Sequence, residues 1–382
     1  QSPLAKYLYS VTPEPNDPAV NPLVAENYWY QAPNNRLEWT TTSRVDHRLS
    51  DRDSLFFRYT HGVRDTYAQS GNNNSPTTLD RSANGTWRPI RDNTGVASWT
   101  HTFSPTFFGE TLATIGVEDL NFINVGDDKK WADTLGLPNP FNEFGFANIT
   151  STGFGMEYIT AANRRNSIVH IWNFDENLTK ILGRHEFQFG GRLRHEKLNI
   201  LPDQQQVQGA HSFNGQFTAL YDPKSGSAYS GTPFTGHQSA DLFLGTINSY
   251  SAQFVRKWYD MSAKEFALYF QDNIKLNSRL TLNFGVRWEM YTPVRETNNY
   301  LTGFDPKTKS IVNGADWDTM YKIGATMPQI VKAFTDMGVP FITPQEAGLP
   351  KDLMYLNKWD FNPRAGFAYK LSDSGRPIVV RG

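Results

Sequence analysis

Two His-Glu pairs are the residues of this sequence that most resemble a known catalytic motif. His185-Glu186 and His195-Glu196 could each begin the zinc-protease motif, in which a second histidine follows four residues after the first on a helix. Neither pair has that second histidine. Both pairs lie where apolar and polar residues alternate, which is the period of a strand. We therefore interpret them as ordinary strand residues.

Other chemical motifs are also missing from the sequence. It contains no GxSxG nucleophile motif and no Walker A phosphate loop. It has no cysteine, which removes thiolate nucleophiles, thiolate metal ligands and disulfides. Asp127-Asp128 could hold Ca²⁺, but one pair lacks the spacing of a known calcium loop, and a solvated charged loop is the better interpretation. The sequence thus predicts no enzyme, no catalytic residue, no cofactor and no metal site.

Composition narrows the class of protein further. The 37 basic and 38 acidic residues give a net charge of -1, so there is no basic field to hold nucleic acid. The mean hydropathy is -0.54 and aromatic residues make up 14%. No apolar run approaches the roughly 18 residues of a membrane helix. A membrane β-barrel stays possible, because its strands alternate apolar and polar positions.

The clearest alternation is in residues 264–290. Five apolar residues alternate with polar ones in its first half, and six do so in its second half, on either side of Asn277-Ser278-Arg279. The first set is Phe266, Leu268, Phe270, Ile274 and Leu276; the second is Leu280, Leu282, Phe284, Val286, Trp288 and Met290. This pattern predicts two long strands joined by a tight hairpin turn.

The same pattern predicts four more hairpins along the chain. They pair residues 168–182 with 185–196, 37–49 with 54–62, 94–103 with 107–123, and 362–371 with 377–381. These strands have about ten or more residues, against a mean of about 5–6 in soluble proteins. That length is enough to cross a membrane with tilted strands.

The predicted connections alternate in length. Short turns are expected at 50–53, 104–106, 183, 277–279 and 372–376, and long loops at 63–93, 124–165, 199–237 and 293–360. Short helices are expected within 316–337 and 239–244. The fold class is therefore all-β: an antiparallel up-and-down transmembrane β-barrel with short periplasmic turns and long extracellular loops.

Several phrases in these strands resemble the Oar-like TonB-dependent receptors. They include DRDSLFFRYTH (51–61), WTHTFSPTFFGE (99–110), GRHEFQFGGRLR (183–194), YFQDNIKLNSRLTLNFGVRWE (269–289) and NPRAGFAY (362–369). The resemblance implies a large outer-membrane barrel, closed by an N-terminal plug and energised through TonB. It supplies no functional residue that can be placed at a numbered position.

The resemblance also sets the expected domain organisation. Residues 1–36 are expected to be a loop-like opening segment, and residues 37–382 a partial barrel of roughly twelve strands. A plugged transporter has about 22 strands. The plug and the C-terminal strands are therefore expected to lie outside this internal barrel fragment.

Two sets of candidate site residues follow from the alternation. Charged residues on the polar face are expected to face the lumen, where they form salt bridges or contact a plug or solute: Glu186, Arg192, Arg194, Arg287 and Glu289. Aromatic residues near strand ends are expected to anchor the chain at the membrane interface: Trp39, Trp99, Trp172 and Trp288, together with Tyr59, Trp258, Tyr259 and Tyr291. Packing in a soluble β core is the alternative for this second set.

The predicted function is outer-membrane transport or reception through a plugged barrel. Expected partners are outer-membrane lipid, the TonB system through the N-terminal part, and a solute such as an oligosaccharide, a peptide or a metal chelate. Nucleic acid is not an expected partner. Two alternatives stay open: a secreted soluble β-protein that binds carbohydrate through loop aromatics such as Trp131 and Trp317, and an Oar-like barrel that acts in adhesion or protein export.

Overall fold

A computed structural model describes most of the chain. The described residues are 1–11, 14–21, 27–28, 34–69, 85–124, 130–139, 142–151, 166–201, 209–220, 235–251, 258–322, 326–372 and 378–382.

Strands make up most of the described structure. In chain order they are β1 (Asn34–Arg48), β2 (Asp53–Gln69), β3 (Gly85–Ser104), β4 (Phe107–Asn121), β5 (Ile123–Asn124), β6 (Asn148–Ser151), β7 (Asn166–Leu182), β8 (His185–Leu201), β9 (Ala210–Phe213), β10 (Ser249–Ser251), β11 (Tyr259–Lys275), β12 (Leu280–Tyr291), β13 (Arg295–Glu296), β14 (Thr302–Asp305), β15 (Ser310–Asn313), β16 (Phe341–Ile342), β17 (Asp360–Lys370) and β18 (Val379–Arg381). The helices are α1 (Pro3–Val11), α2 (Trp131–Thr134), α3 (Gln238–Leu244), α4 (Trp317–Lys322) and α5 (Pro328–Asp336).

One large antiparallel sheet dominates the fold. Ten of its strands follow in the order β1-β2-β3-β4-β7-β8-β11-β12-β17-β18. Two short strands complete the twelve, because β5 pairs with β3 and β13 pairs with β11. The expected count of roughly twelve is met, but only nine of the twelve are long, with 11 to 20 residues each. Each strand pairs with the one that precedes it in this order. The predicted up-and-down meander is thus confirmed.

The sheet is open. Among the described residues, β1 pairs only with β2, and β18 pairs only with β17. The strand around Ile378 does not pair with the strand around Trp39, as we expected for part of a larger barrel wall.

The predicted hairpins are confirmed, and most strands extend further than predicted. β11 and β12 pair from Lys275↔Thr281 outwards to Glu265↔Tyr291. The short connections at 49–52, 105–106, 183–184 and 276–279 lie at one end of the sheet. Gly183 has a φ of 60° in its turn, a backbone conformation that glycine adopts without strain. The expected turn at 372–376 lies almost wholly outside the described residues.

The expected long loop at 63–93 is wrong in its extent. β2 continues to Gln69 and β3 begins at Gly85, and the two strands stay in register up to the pair Gln69↔Gly85. In these extensions of β2 and β3, polar residues such as Asp65 and Arg91 occupy the positions that are apolar elsewhere in the strands. The alternation of apolar and polar residues therefore ends, while the backbone hydrogen bonds between β2 and β3 continue.

Residues 1–36, expected to be a loop-like segment, contain the helix α1. Leu4, Ala5 and Leu8 are buried and share one face of this helix. They join a core with residues from three distant loop segments, and the ring centroids of Tyr7 and Trp131 lie 5.2 Å apart. The rest of this core consists of Leu135, Phe146, Ala147, Ile149, Phe213 and Leu242.

We call this assembly the first loop module: α1, α2, α3 and the small sheet β10-β9-β6. The second loop module lies between β12 and β17 and consists of β14, β15, β16, α4 and α5. The expected helices are present in both modules, α3 within the first and α4 and α5 within the second. In the second module the ring of Trp317 lies 5.0 Å from that of Phe341.

No helix in the described part of the chain is both long enough and apolar enough to cross a membrane.

Gly190 is a position where the sheet requires glycine. It pairs with Tyr269 on one side and Asn177 on the other, and the Tyr269 hydroxyl reaches across it to donate to Asn177 Oδ1 at 2.8 Å. A Cβ at residue 190 would lie 1.9 Å from the carbonyl oxygen of Glu176 and 3.0 Å from the Tyr269 ring.

Gly190→Ala should therefore lower the free energy of unfolding by about 1–3 kcal/mol, the usual cost of overpacking. Urea unfolding of the chain in detergent micelles or lipid vesicles measures it. Gly95→Ala is the matched control, because its Cβ would meet no atom nearer than 3.9 Å and should cost little. Equal losses at the two glycines would contradict this account of the close approach.

Trp131→Ala should loosen the first loop module, because Trp131 is only 5% exposed in its core. Removal of a buried tryptophan costs about 3–5 kcal/mol, so amide hydrogen exchange should speed up in α1 and α3 and stay slow in β7 and β8. Trp359→Ala is the control, since that side chain is 81% exposed. Unchanged exchange in α1 after Trp131→Ala would show that the core does not hold the module together.

Candidate functional site: the two faces of the sheet

Side chains of the main sheet separate onto two faces. In a strand, successive side chains point to opposite sides. The pairs Leu268↔Trp288 and Ile274↔Leu282 lie on one face, and Tyr269↔Arg287 and Asn273↔Asn283 lie on the other. We call the first the apolar face and the second the polar face. The predicted common face of Phe266, Leu268, Phe284 and Trp288 is confirmed.

Because directly paired residues lie on the same side of a sheet, the register extends the apolar face over all the long strands. Leu268 pairs with Gly191, Leu193 with Phe174, Ile115 with Trp172, and Phe57 with Ala97. At the other side, Leu282 pairs with Phe367 and Trp288 with Phe361.

The described part of the chain leaves this face uncovered. Leu268 is 60% exposed, Ile115 57% and Phe57 53%. Large contiguous apolar surfaces on a protein mark contacts with other proteins or with membrane. Here the apolar surface runs over nine long strands, as expected of the lipid-facing side of a membrane wall.

Tryptophan–histidine contacts lie towards both ends of the apolar face. The ring centroids of Trp39 and His61 are 5.2 Å apart, and those of Trp99 and His101 are 5.3 Å apart. Trp172 stacks between His170 at 5.6 Å and His195 at 5.2 Å. Six of the eight histidines lie on this face: His47, His61, His101, His170, His185 and His195.

The four predicted anchors all belong to the apolar face. Trp99 lies in the half of its strand nearer the short connections. Trp39, Trp172 and Trp288 lie in the halves nearer the long loops, and the Trp288 indole N–H donates to the Lys358 carbonyl oxygen at 2.8 Å. Their role as interfacial anchors stays a prediction.

Two of the aromatic residues expected to be anchors, Tyr259 and Tyr291, do not share the face of the four tryptophans. Tyr291 pairs with Glu265 on the polar face, and Tyr259 has the same parity as Glu265 in its strand. Both tyrosines lie near strand ends, but nearness to an end does not determine which face of the strand a side chain occupies. Trp258 lies outside the strand.

Polar pairs bound the apolar face at the end with the short connections. His101 Nδ1 lies 2.6 Å from Asp53 Oδ1, and the Trp99 indole N–H donates to the same oxygen at 3.1 Å. His185 Nδ1 lies 2.7 Å from Asp272 Oδ2. The sequence signal for these pairs is the presence of polar residues at positions of the apolar face.

The end with the long loops has comparable polar groups. Arg91 lies 2.5 Å from Asp65 and Lys197 lies 3.1 Å from Asp260. Nearer the middle of the strands, the Tyr59 hydroxyl donates to Asn93 Oδ1 at 2.6 Å. The exposed apolar surface is therefore a band with polar margins on both sides. That arrangement is expected where a hydrocarbon layer meets two headgroup layers.

The predicted lumen-facing charges all lie on the polar face, and each has a partner. Arg192 Nε donates to Asp175 Oδ1 at 2.7 Å, and Arg194 pairs with Glu196 at 2.9 Å. Arg287 Nε donates to Glu289 Oε1 at 2.6 Å and its guanidinium lies 4.0 Å from Glu265. Salt bridges are thus observed at four of the five; their position in a lumen stays a prediction.

Glu186 belongs to a chain of hydrogen bonds on the same face. Its Oε1 accepts from Gln188 at 2.9 Å and from Asn273 at 3.2 Å. Gln271 donates to Asn273 at 2.7 Å and accepts from Arg364. Sequence reasoning did not single out Gln271, Asn273 or Arg364, although their strand positions place them there.

The loops contain the remaining candidates. Trp131 is buried in the first loop module, so it is not available to stack on a ligand, as the carbohydrate-binding alternative required. Asp127-Asp128 lie outside the described residues. Among the residues that are described, no group of three or more His, Asp or Glu side chains could hold a metal ion.

A long antiparallel meander with one exposed apolar face, one hydrogen-bonded polar face and connections of unequal length defines a membrane β-barrel wall. The chain belongs to the outer membrane beta barrel domain family, whose model matches residues 1–382. It is therefore a protein of the bacterial outer membrane.

Several solved outer-membrane structures are similar to the chain. The ferripyoverdine receptor of Pseudomonas aeruginosa is 14% identical, with a TM-score of 0.44, and the match covers 89% of this chain and 34% of that one. The ferric-catecholate import receptor Fiu from E. coli K12, in its open form, is 12% identical with a TM-score of 0.40, covering 90% and 46%. The copper transporter OprC is 7% identical with a TM-score of 0.41, covering 90% and 36%.

The chain thus spans between about a third and about a half of the length of these three proteins. No curated protein matches it.

Arginine substitutions at neighbouring positions test the assignment of the faces. Leu282→Arg should destabilise the folded chain in lipid bilayers by about 2–4 kcal/mol if residue 282 lies near the bilayer midplane, because it puts a charge into hydrocarbon. Asn283→Arg should be mild, since Asn283 lies on the polar face. Folding titrations in lipid vesicles measure both, and equal penalties would contradict the assignment.

Proposed function

We propose that the chain forms part of the wall and the extracellular loops of a TonB-dependent receptor that moves a solute through the outer membrane. The observation that carries this proposal is the pairing of an uncovered apolar face with a polar face rich in ion pairs. A wall of this kind has hydrocarbon on one side and a hydrated interior on the other. The family assignment and the sequence resemblance to Oar-like receptors support it.

The proposed direction of the wall follows from its connections. The short connections would face the periplasm, and the two loop modules would lie outside the cell. Residues 34–382 would then contribute wall strands, while a plug and further strands would come from elsewhere in a longer protein. The open edges of β1 and β18 support this, because each unsatisfied backbone group in hydrocarbon costs several kcal/mol.

The proposed mechanism involves no covalent chemistry. A solute would first bind to the extracellular loops. A TonB-driven rearrangement of the plug would then open a path along the polar face. Arg192, Arg287 and the hydrogen-bonded chain around Glu186 would keep that path hydrated and would hold the plug by polar contacts.

Two deletions test the transport proposal in cells. One strain lacks the gene for this protein and a second strain lacks tonB. In a screen of carbon and metal sources, both strains should fail to grow on at least one and the same nutrient. A nutrient lost in the first strain but kept in the second would contradict TonB dependence. Complementation with the intact gene is the control.

Cysteine labelling tests the direction of the wall separately. Because the chain has no cysteine, single cysteines can be introduced without background. Lys332→Cys, in the second loop module, should react with a membrane-impermeant maleimide on intact cells, and Asn277→Cys, in a short connection, should react only after lysis. The opposite pattern would reverse the proposed orientation.

A further inference from the structure

Five side chains form a basic cluster on the apolar face, at its end nearer the long loops. The basic cluster consists of His170 and Trp172 of β7, His195 and Lys197 of β8, and Lys264 of β11. Lys264 pairs directly with His195, which pairs with Trp172, and in the next row Lys197 pairs with His170. Directly opposite side chains have Cβ atoms about 4.5–5.5 Å apart, so the five side chains lie together.

The basic cluster lies at a boundary of the apolar face. Towards the middle of the sheet, this face continues with the apolar pair Leu193↔Phe266. Towards the long loops, it continues with the polar pair Asn199↔Asp260. Because the chain belongs to a family of outer-membrane barrels, a boundary of this kind is expected where lipid hydrocarbon meets the phosphate-bearing headgroups.

Histidines have different partners at the two ends of the apolar face. At the end with the short connections, a ring nitrogen of His101 lies 2.6 Å from an aspartate oxygen, and one of His185 lies 2.7 Å from another. At the long-loop end, His170 and His195 instead stack on Trp172. No carboxylate among the described residues lies within 4 Å of a ring nitrogen of either. Both residues are partly exposed, and each imidazole has at least one N–H donor.

The two lysines of the basic cluster give it an excess of positive charge. Lys264 is exposed, and no carboxylate in the described part of the chain lies within 4 Å of its ammonium. Lys197 lies 3.1 Å from Asp260 Oδ2, which neutralises it. On the neighbouring strand β4, the apolar-face carboxylate at this end is Asp119, which pairs in register with Arg91. Two lysines against one aspartate thus leave one cation in excess beside the two imidazoles.

We propose that the basic cluster binds the terminal phosphate of an anionic membrane lipid. The Lys264 ammonium would pair with the phosphate, and the imidazole N–H groups of His170 and His195 would donate to its oxygens. The acyl chains of the lipid would then lie against the adjoining apolar surface around Leu193 and Phe266. In the proposed orientation this lipid belongs to the outer leaflet. Only the choice of leaflet rests on the proposed function, because phosphate binding does not require transport.

Three lipids with the same acyl chains separate the parts of this recognition. Dioleoyl phosphatidic acid has a terminal phosphate, dioleoyl phosphatidylcholine has a phosphate that is esterified to a cationic choline, and dioleoylglycerol has no phosphate. Native mass spectrometry of the delipidated protein in a neutral detergent should show saturable binding of phosphatidic acid and at least tenfold weaker binding of the other two. Equal binding of all three, or displacement of phosphatidic acid by a small excess of inorganic phosphate, would overturn the assignment to a lipid phosphate.

Removal of one lysine tests the cationic part of the cluster. Lys264→Ala should weaken binding of phosphatidic acid about tenfold, the usual effect of losing one charge-assisted contact, and should leave dioleoylglycerol binding unchanged. Lys275→Ala is the matched control, because Lys275 lies in the same strand but at its other end and on the polar face. Affinity for phosphatidic acid that is the same in both variants would overturn the role of Lys264.

His195→Phe distinguishes a binding role of the histidines from a packing role. It keeps an aromatic ring against Trp172 but removes both ring nitrogens, so urea unfolding should show unchanged stability while affinity for phosphatidic acid falls about tenfold. Unchanged affinity would mean that His195 only packs against Trp172, and would overturn its part in the site. The two proposals can fail separately. A protein that binds phosphatidic acid but shows the opposite cysteine-labelling pattern refutes the proposed orientation alone, and one with the expected labelling that does not bind phosphatidic acid refutes this inference alone.

Discussion

The structure depends on one constraint: in hydrocarbon, a backbone N–H or C=O without a hydrogen bond costs several kcal/mol. The ladder between neighbouring strands meets it. β7 and β8 pair without interruption from Leu182↔His185 to Asn166↔Leu201, and β1 and β2 pair from Arg48↔Ser54 to Asn34↔Ala68. Because the ladder fixes the register, it also fixes which side chains face lipid and which face the other side.

The side chains of the two faces are stabilised in different ways. The apolar face needs no partner from the chain where lipid covers it, and at its margin near the short connections His101 lies against Asp53 and His185 against Asp272. The polar face must neutralise its own charges, and it does so within and between strands, as with Arg192 and Asp175. The same alternation therefore supplies both an apolar surface and a polar one.

Local features of this fold could be predicted from the sequence, and distant contacts could not. The hairpin of β11 and β12 follows from the alternation around Asn277, and the parity of Glu186, Arg192, Arg194, Arg287 and Glu289 placed all five on one face. The extension of β2 and β3 was missed because backbone pairing continues where the apolar signal ends. The first loop module was missed because its core joins Leu8, Trp131 and Phe213, which no local period connects.

The unequal connections have a consequence for how such proteins diversify. The entropy of closing a flexible loop grows only with the logarithm of its length, by about 0.6 kcal/mol for each doubling. Strands such as β12 and β17 can therefore stay paired while the segment between them gains helices and a small sheet. Insertions at the long-loop end would change what the protein recognises at little cost to the wall, so its recognition surface can evolve faster than its membrane-spanning part.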